Sequence, residues 1–315
     1  MTTITQTIPI FTVDGLQSLY TRLTEENITG LNVRSVSLDS SGDAIAVAGE
    51  DGCGVYSFRN SEWKQRGVVL ASDDKNIASV SLNEGGDVVA FSIEATDGSS
   101  STEVHAWNGS AWAARGAAFS GASSVNINED GDIVSFIKSG TVEAHSWDST
   151  TSAWTALGST PIAFADASGL SMSADGTVLA ISNAAHNSVS NTSIGKVEVY
   201  EWNSTDERWD KLGSTLLGED DDDRLGSHMA ISKSSDDTLT LALATNNNTD
   251  VKVYTYEGSG WVMLQTIESV ENLRDISMDH AGETFSVLDS SDAIKIYQNN
   301  DVTGNFELQQ TWANS

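Results

Sequence analysis

The sequence predicts an all-β fold: a β-propeller of four-stranded blades, six in number, with seven as the alternative count. Three observations lead there. One sentence is written six times, as SVSLDSSGDAIAV at 35–47, SVSLNEGGDVVAF at 79–91, SVNINEDGDIVSF at 124–136, GLSMSADGTVLAI at 169–181, HMAISKSSDDTLTLAL at 228–243 and DISMDHAGETFSV at 275–287. Its equivalent residues Val36, Val80, Val125, Leu170, Met229 and Ile276 are spaced 44, 45, 45, 59 and 47 apart, which is the length of a four-stranded blade. Within each unit the apolar residues alternate with period two, and Gly and Asp cluster between the runs. Helical repeats of similar length need apolar residues at i, i+3 and i+4, so strands are selected.

Residues 1–32 precede the first full unit and are read as an N-terminal arm; residues 33–315 form the propeller repeats. IPIFTVDGLQSLYTRL at 8–23 is patterned like the last two strands of a unit, so the arm is expected either to close the ring or to dock on a neighbour. Each unit then resolves into four strands. The first is short, such as Val80-Ser81-Leu82. It ends in a tight turn at Gly42, Gly86, Gly131, Gly176, Asp236-Asp237 or Gly282, residues that accept a positive φ. The second carries a small residue at one fixed place: Ala46, Ala90, Ser135, Ala180, Ala242, Ser286. That choice suits close approach of neighbouring sheets. The third carries a ring column, Tyr56, His105, His145, Tyr200, Tyr254 and Tyr297, with Phe58, Trp107, Trp147, Trp202 and Tyr256 two residues on. The fourth opens on Trp63, Trp112, Trp154, Trp209, Trp261 or Phe306. It often closes on Gly, as in Arg66-Gly67, Arg115-Gly116, Leu157-Gly158 and Leu212-Gly213.

The unit SADGTVLAIS…KVEVYEWNSTDERWDKLG at 173–213 resembles repeats of WD40-like and integrin-α-like (FG-GAP) propellers, of the kind common in marine microbes, algae and their viruses. The resemblance covers roughly 33–312. It implies the fold and no single activity, since propellers host many functions. No unit combines the Gly-His start with the Trp-Asp end of WD40 repeats. The Asp-x-Asp-x-Asp-Gly calcium loop of the integrin-like family is also missing from every hairpin, so calcium binding by that route is not implied.

The chain is strongly acidic, with 16 basic against 45 acidic residues and a formal charge of −29. A field of that sign repels phosphate backbones and anionic lipid surfaces, which excludes nucleic-acid partners and disfavours membranes. It suits solubility in salty water. The single cysteine, Cys53, cannot form an intrachain disulfide and reads as a small packing residue. The first fifteen residues, MTTITQTIPIFTVDG, lack the basic and apolar regions of a signal peptide, and no run approaches a membrane span. An external composition without an export signal points to a virion or extracellular surface, with the cytoplasm as the alternative.

Chemistry-bearing constellations are sparse. No Gly-x-Ser-x-Gly elbow, paired His ligands or phosphate-cradling loop occurs. The eight arginines are scattered, against the clustered set that a sialidase needs. The chain is therefore expected to be non-enzymatic, with glycoside hydrolysis the weakest alternative. The fourth unit carries two insertions, AAHNSVSNTSIG at 184–195 and GEDDDDRLGS at 218–227, and insertions in repeat proteins often carry binding. His186 and Asn187 are candidate binding residues there. No cofactor is required. Asp220, Asp221, Asp222 and Asp223 offer hard oxygen ligands for Ca²⁺, against the alternative of a solvated acidic loop. Trp112, Trp154, Trp209 and Trp261, at the starts of outer strands, are the candidate faces for a glycan, against a packing role. The expectation is a structural, protein-interacting propeller of a virus or phage particle or other external assembly, with other proteins, including its own copies, as partners. A carbohydrate-binding surface lectin is the alternative.

Overall fold

The computed structural model describes residues 33–312 except 61, 72–75, 96, 269, 271, 292 and 301. The expectations for the N-terminal arm lie outside the described residues. The chain divides into two compact units, 1–163 and 164–315. Each described half holds three antiparallel sheets.

In the first unit, blade 1 comprises β1 (Val33–Leu38), β2 (Ala44–Gly49), β3 (Gly52–Arg59) and β4 (Glu62–Gln65). Blade 2 comprises β5 (Asn76–Leu82), β6 (Val88–Glu94), β7 (Ser100–Trp107) and β8 (Trp112–Ala114), with the short β9 (Phe119–Ser120) also on β7. Blade 3 comprises β10 (Ala122–Ile127), β11 (Ile133–Lys138), β12 (Thr141–Asp148) and β13 (Ala153–Ala156), with β14 (Ile162–Ala163) also on β12. In the second unit, blade 4 comprises β15 (Gly169–Met172), β16 (Val178–Asn183), β17 (Lys196–Asn203) and β18 (Arg208–Leu217). Blade 5 comprises β19 (Met229–Lys233), β20 (Leu239–Thr245), β21 (Asp250–Tyr256) and β22 (Trp261–Ile267). Blade 6 comprises β23 (Asp275–Met278), β24 (Thr284–Leu288), β25 (Ile294–Asn299) and β26 (Phe306–Trp312). Every sheet runs in sequence order, inner strand to outer strand. The class is all-β, without helix among the described residues, and the six sheets are the six predicted blades; no seventh occurs among the described residues.

Why these residues make this fold is visible in the second strands. They are the apolar cores of the sheets. AIAVAG, VLAISN and LTLALAT are buried at every position; LTLALAT belongs to the middle blade of its unit, and a strand with sheets against both faces has no solvent side. The predicted small-residue column lies within them: Ala46, Ala90, Ser135, Ala180 and Ala242 are fully buried and Ser286 nearly so. The turns behave as read. Gly42, Gly86, Gly131, Gly176, Asp237 and Gly282 all have φ between 65° and 75°. At Gly131 a Cβ would lie 2.8 Å from Val88 of the preceding blade, so the residue must also be small.

Two devices join consecutive blades within each unit. At the inner edge, serine hydroxyls accept backbone amides of the next inner strand. Ser35 accepts from Val80 N (3.1 Å), Ser37 from Leu82 N (2.9 Å), Ser81 from Ile127 N (3.0 Å) and Ser171 from Ile231 N (3.2 Å). An inner strand has no strand partner on that side, and a hydroxyl satisfies the amide without fusing the sheets. At the outer edge a tryptophan clasp does the same work. Trp112 Nε1 donates to Arg66 O (2.6 Å), Trp154 to Arg115 O (2.6 Å) and Trp261 to Leu212 O (3.0 Å). Between blades 5 and 6 Phe306 replaces the tryptophan. There Gln265 takes over, accepting from Phe306 N (2.8 Å) and donating to Phe306 O (3.2 Å).

Candidate functional site

The two insertions of blade 4 form one body. Both leave the same end of the sheet: 184–195 joins β16 to β17, and 218–227 joins β18 to β19. Their backbones run alongside each other, with Asp222 N donating to Thr192 O (3.0 Å), Arg224 N to Ser193 O (2.9 Å) and Leu225 N to Ile194 O (3.0 Å). Side chains add to this: Asn191 Nδ2 donates to Glu219 O (2.9 Å), and Thr192 N donates to Asp221 Oδ1 (2.6 Å). Gly195 (φ +83°) lies where any Cβ would collide with the Leu225 backbone, so only glycine admits the second loop.

A third loop leans on this lobe. The β20–β21 hairpin tip is Asn246-Asn247-Asn248, all three left-handed (φ 50°, 53° and 70°), a conformation that asparagine accepts better than other side chains. Asn247 N donates to Asp223 O (3.2 Å), and Asn248 Oδ1 accepts the Ser227 hydroxyl. The lobe's crest is 187–190, where Asn187, Ser188, Val189 and Ser190 are exposed and Val189 is fully so, at 108%.

The candidate residues are distributed as follows. His186 is half-buried; its N–H donates to Asn183 O (3.2 Å) and its carbonyl accepts from Gly195 N (3.3 Å), so it anchors the loop. Asn187 is exposed, and its Oδ1 accepts from Ser193 N (2.8 Å). The four aspartates do not converge. Asp223 is buried and its Oδ2 accepts the N–H groups of Glu219 (2.6 Å) and Asp220 (3.1 Å). Asp221 turns to Thr192, while Asp220 and Asp222 are exposed. Among the described residues no group of three or more His, Cys, Asp or Glu is placed to hold a metal ion. Trp112 is buried and Trp154, Trp209 and Trp261 are half-buried. Trp154 lies 5.2 Å from Trp147, Trp209 5.5 Å from Trp202 and Trp261 5.4 Å from Tyr256, with Arg115 over the Trp147 and Trp154 rings at 4.9 and 5.8 Å. Sequence reasoning singled out both insertions, but the contact between them has no signal in either stretch taken alone.

A second feature lies at the first position of the repeated sentence. The inner-strand position two residues before the one facing the small column is Ser35, Ser79, Ser124 and Gly169 in blades 1 to 4, but His228 and Asp275 in blades 5 and 6. Burial lowers the His228 pKa below its ordinary 6.5, favouring the neutral imidazole. The Asp275 carboxyl is pushed up to about 6 by the protein surrounding it, although the residue is open to solvent and its Oδ1 accepts from Ile276 N (2.9 Å). His228 immediately precedes β19, and β19 neighbours β23, which carries Asp275.

No protein-family model matches the chain, and no curated protein is similar to it in sequence. Solved structures are similar in fold. The Cps50 (Swd1) β-propeller domain of Myceliophteria thermophila matches with a TM-score of 0.62 at 13% identity, over 87% of this chain and 86% of that one. The periplasmic gluconolactonase PpgL of Pseudomonas aeruginosa matches with a TM-score of 0.67 at 14% identity, over 91% and 86%. A Bacteroides uniformis protein described provisionally as a 6-phosphogluconolactonase matches with a TM-score of 0.63 at 13% identity, over 91% and 87%. The chain is thus a six-bladed β-propeller; likeness at this identity establishes the fold alone. One expectation is corrected. The lack of a recognisable catalytic motif suggested a non-enzyme, yet two proteins of this fold are named as lactonases. One fold hosts many activities, so a missing linear motif does not exclude chemistry.

Proposed function

We propose that this propeller is a protein-binding module of an assembly, and that the blade 4 lobe is the surface it presents. The carrying observation is that the two insertions are hydrogen-bonded to each other, so the crest at 187–190 is held in place before a partner arrives. Preorganisation of this kind lowers the entropy lost on binding. A fully exposed Val189 among Asn and Ser offers an apolar anchor flanked by adaptable polar groups. The net charge of −29 supports a setting in salty surroundings, on a virion or an external surface. The test places a photo-crosslinking residue at Val189, and at the equally exposed Val302 as control. A discrete protein adduct at Val189 in the native particle or surface fraction, absent from the control, is expected. Equal labelling at both positions would remove the lobe from the argument, and glycan-array binding without a protein adduct would replace this reading with the lectin.

A second reading is sugar-lactone hydrolysis, favoured by the two lactonase-named proteins of the same fold. His228 is its candidate base, since a neutral imidazole can take a proton from water. The check is acid release from D-glucono-1,5-lactone in a pH-stat, comparing the wild type with His228→Ala. Rates indistinguishable from the uncatalysed background dismiss it.

A further inference from the structure

Edge strands normally carry charge or are very short, because a long uncharged edge invites another strand. Most outer strands here follow that rule. β4 contains Glu62 and Lys64, β18 contains Arg208, Asp210 and Lys211, and β26 contains Glu307; β8 and β13 have only three and four residues. β22 does neither. It is seven residues long, WVMLQTI, without a charge. Its outer edge has no strand partner among the described residues. Three consecutive apolar side chains stand open on it, Val262, Met263 and Leu264 at 41%, 51% and 39% exposure. In a chain of charge −29 this is an exceptional stretch of surface.

The sequence also holds a segment suited to it. Residues 3–13, TITQTIPIFTV, lie outside the described residues; they are uncharged and rich in Thr, Ile and Val. No described sheet needs them, since each of the six blades takes its four strands from 33–312. Pro9 is compatible with a strand added at an edge. Residues 14–32 separate this segment from β1 along the chain, a contour of up to roughly 65 Å.

We propose that residues 3–13 of a neighbouring copy add as a strand to the free edge of β22, with their apolar side chains covering Val262, Met263 and Leu264. Backbone hydrogen bonds supply the affinity and the side-chain alternation sets the register. Exchange between two copies closes a dimer, and exchange onward builds a chain. Two copies of charge −29 repel, while the docked elements are uncharged, so association strengthens as salt screens the bodies. This inference is independent of the blade 4 lobe.

The experiment measures mass by light scattering on the full chain from 1 to 200 μM, in 20 mM and 500 mM NaCl. A concentration-dependent oligomer, favoured at the higher salt, is expected. Met263→Lys charges the acceptor edge and Ile8→Asp charges the donor segment. Each is expected to weaken association at least tenfold, with the thermal midpoint of the monomer unchanged. An equimolar mixture of the two variants restores half of the exchange, because the Met263→Lys copy still donates and the Ile8→Asp copy still accepts. A monomer under all conditions, or oligomers indifferent to both substitutions, or no recovery on mixing, would overturn the proposal.

Discussion

Trp154 illustrates how one side chain settles a question that composition leaves open. A tryptophan at the start of an outer strand offers a flat face to a sugar or a polar edge to a neighbour. Here the edge is committed: Nε1 donates to Arg115 O at 2.6 Å, and Arg115 lies over the ring at 5.8 Å. Gly116 completes the clasp, since a Cβ there would lie 2.7 Å from Trp154 Cδ1. The Arg-Gly ending of one blade and the Trp opening of the next outer strand are thus two halves of one joint. Trp154→Phe keeps most of the apolar contact and removes the donor. It is expected to cost about 1 kcal/mol, whereas Trp154→Ala costs roughly 3 to 5 kcal/mol through lost packing. Urea unfolding of both variants measures the difference. A Phe variant as stable as the wild type would mean that the indole N–H contributes nothing to the joint.

At the scale of the element, the inner strands explain why the repeated sentence is so regular. Serine recurs at alternate positions because its hydroxyl serves the next blade's amide, as with Ser37 and Leu82 N. The tie is lost where blade 5 has Ala230, and the strand that follows carries Asp275. That carboxyl, open to solvent yet pushed up to about 6 by the protein surrounding it, makes a pH prediction with a definite sign and a size reduced by solvent screening. The unfolded chain has the ordinary value of 3.8, so folding disfavours the ionised form. Stability is therefore lost as the pH rises from about 4 through 6. Asp275→Asn keeps an acceptor for Ile276 N and never ionises. The variant is expected to be more stable than the wild type at pH 7.5, with the gap narrowing at pH 5. A gap that does not change with pH would place the carboxyl in free contact with water. The strands themselves were legible in the sequence because period-two alternation and Gly turns are local signals. The serine ties were not, because a hydroxyl at alternate positions looks the same facing a neighbour or facing solvent. Likewise the two insertions of blade 4 announced themselves by length, but nothing in AAHNSVSNTSIG names GEDDDDRLGS as its partner. His228 and Asp275 open the fifth and sixth copies of the repeated sentence, but the sequence carries no signal of what surrounds them in the fold.

At the scale of the whole chain, the dominant quantity is charge. Forty-five acidic residues against 16 basic leave −29, and the ion pairs recover little of it. Lys233 lies 3.4 Å from Asp175, 3.6 Å from Glu201 and 3.4 Å from Asp237, so one cation serves three carboxylates. Exposed pairs such as Arg34–Glu50, at 3.2 Å, contribute well under about 1 kcal/mol. Most carboxylates therefore repel one another across the surface, and that repulsion opposes the compact state. The unfolded chain spreads the same charges further apart and suffers less. Salt shortens the Debye length from roughly 30 Å at 0.01 M to about 8 Å at 0.15 M, which relieves the folded state more than the unfolded one. The thermal midpoint at pH 7.5 is expected to rise by on the order of 5 °C between 20 mM and 500 mM NaCl. Most of the gain should come below 150 mM, where screening changes fastest. Sodium perchlorate, a chaotropic salt, should give the same early rise at equal ionic strength, because Debye screening depends on ionic strength alone. Differential scanning calorimetry reads both series. A midpoint flat in NaCl would show that counter-charges within the fold already balance the surface, and the reading of the acidic composition as an adaptation to salty surroundings would lose its physical basis.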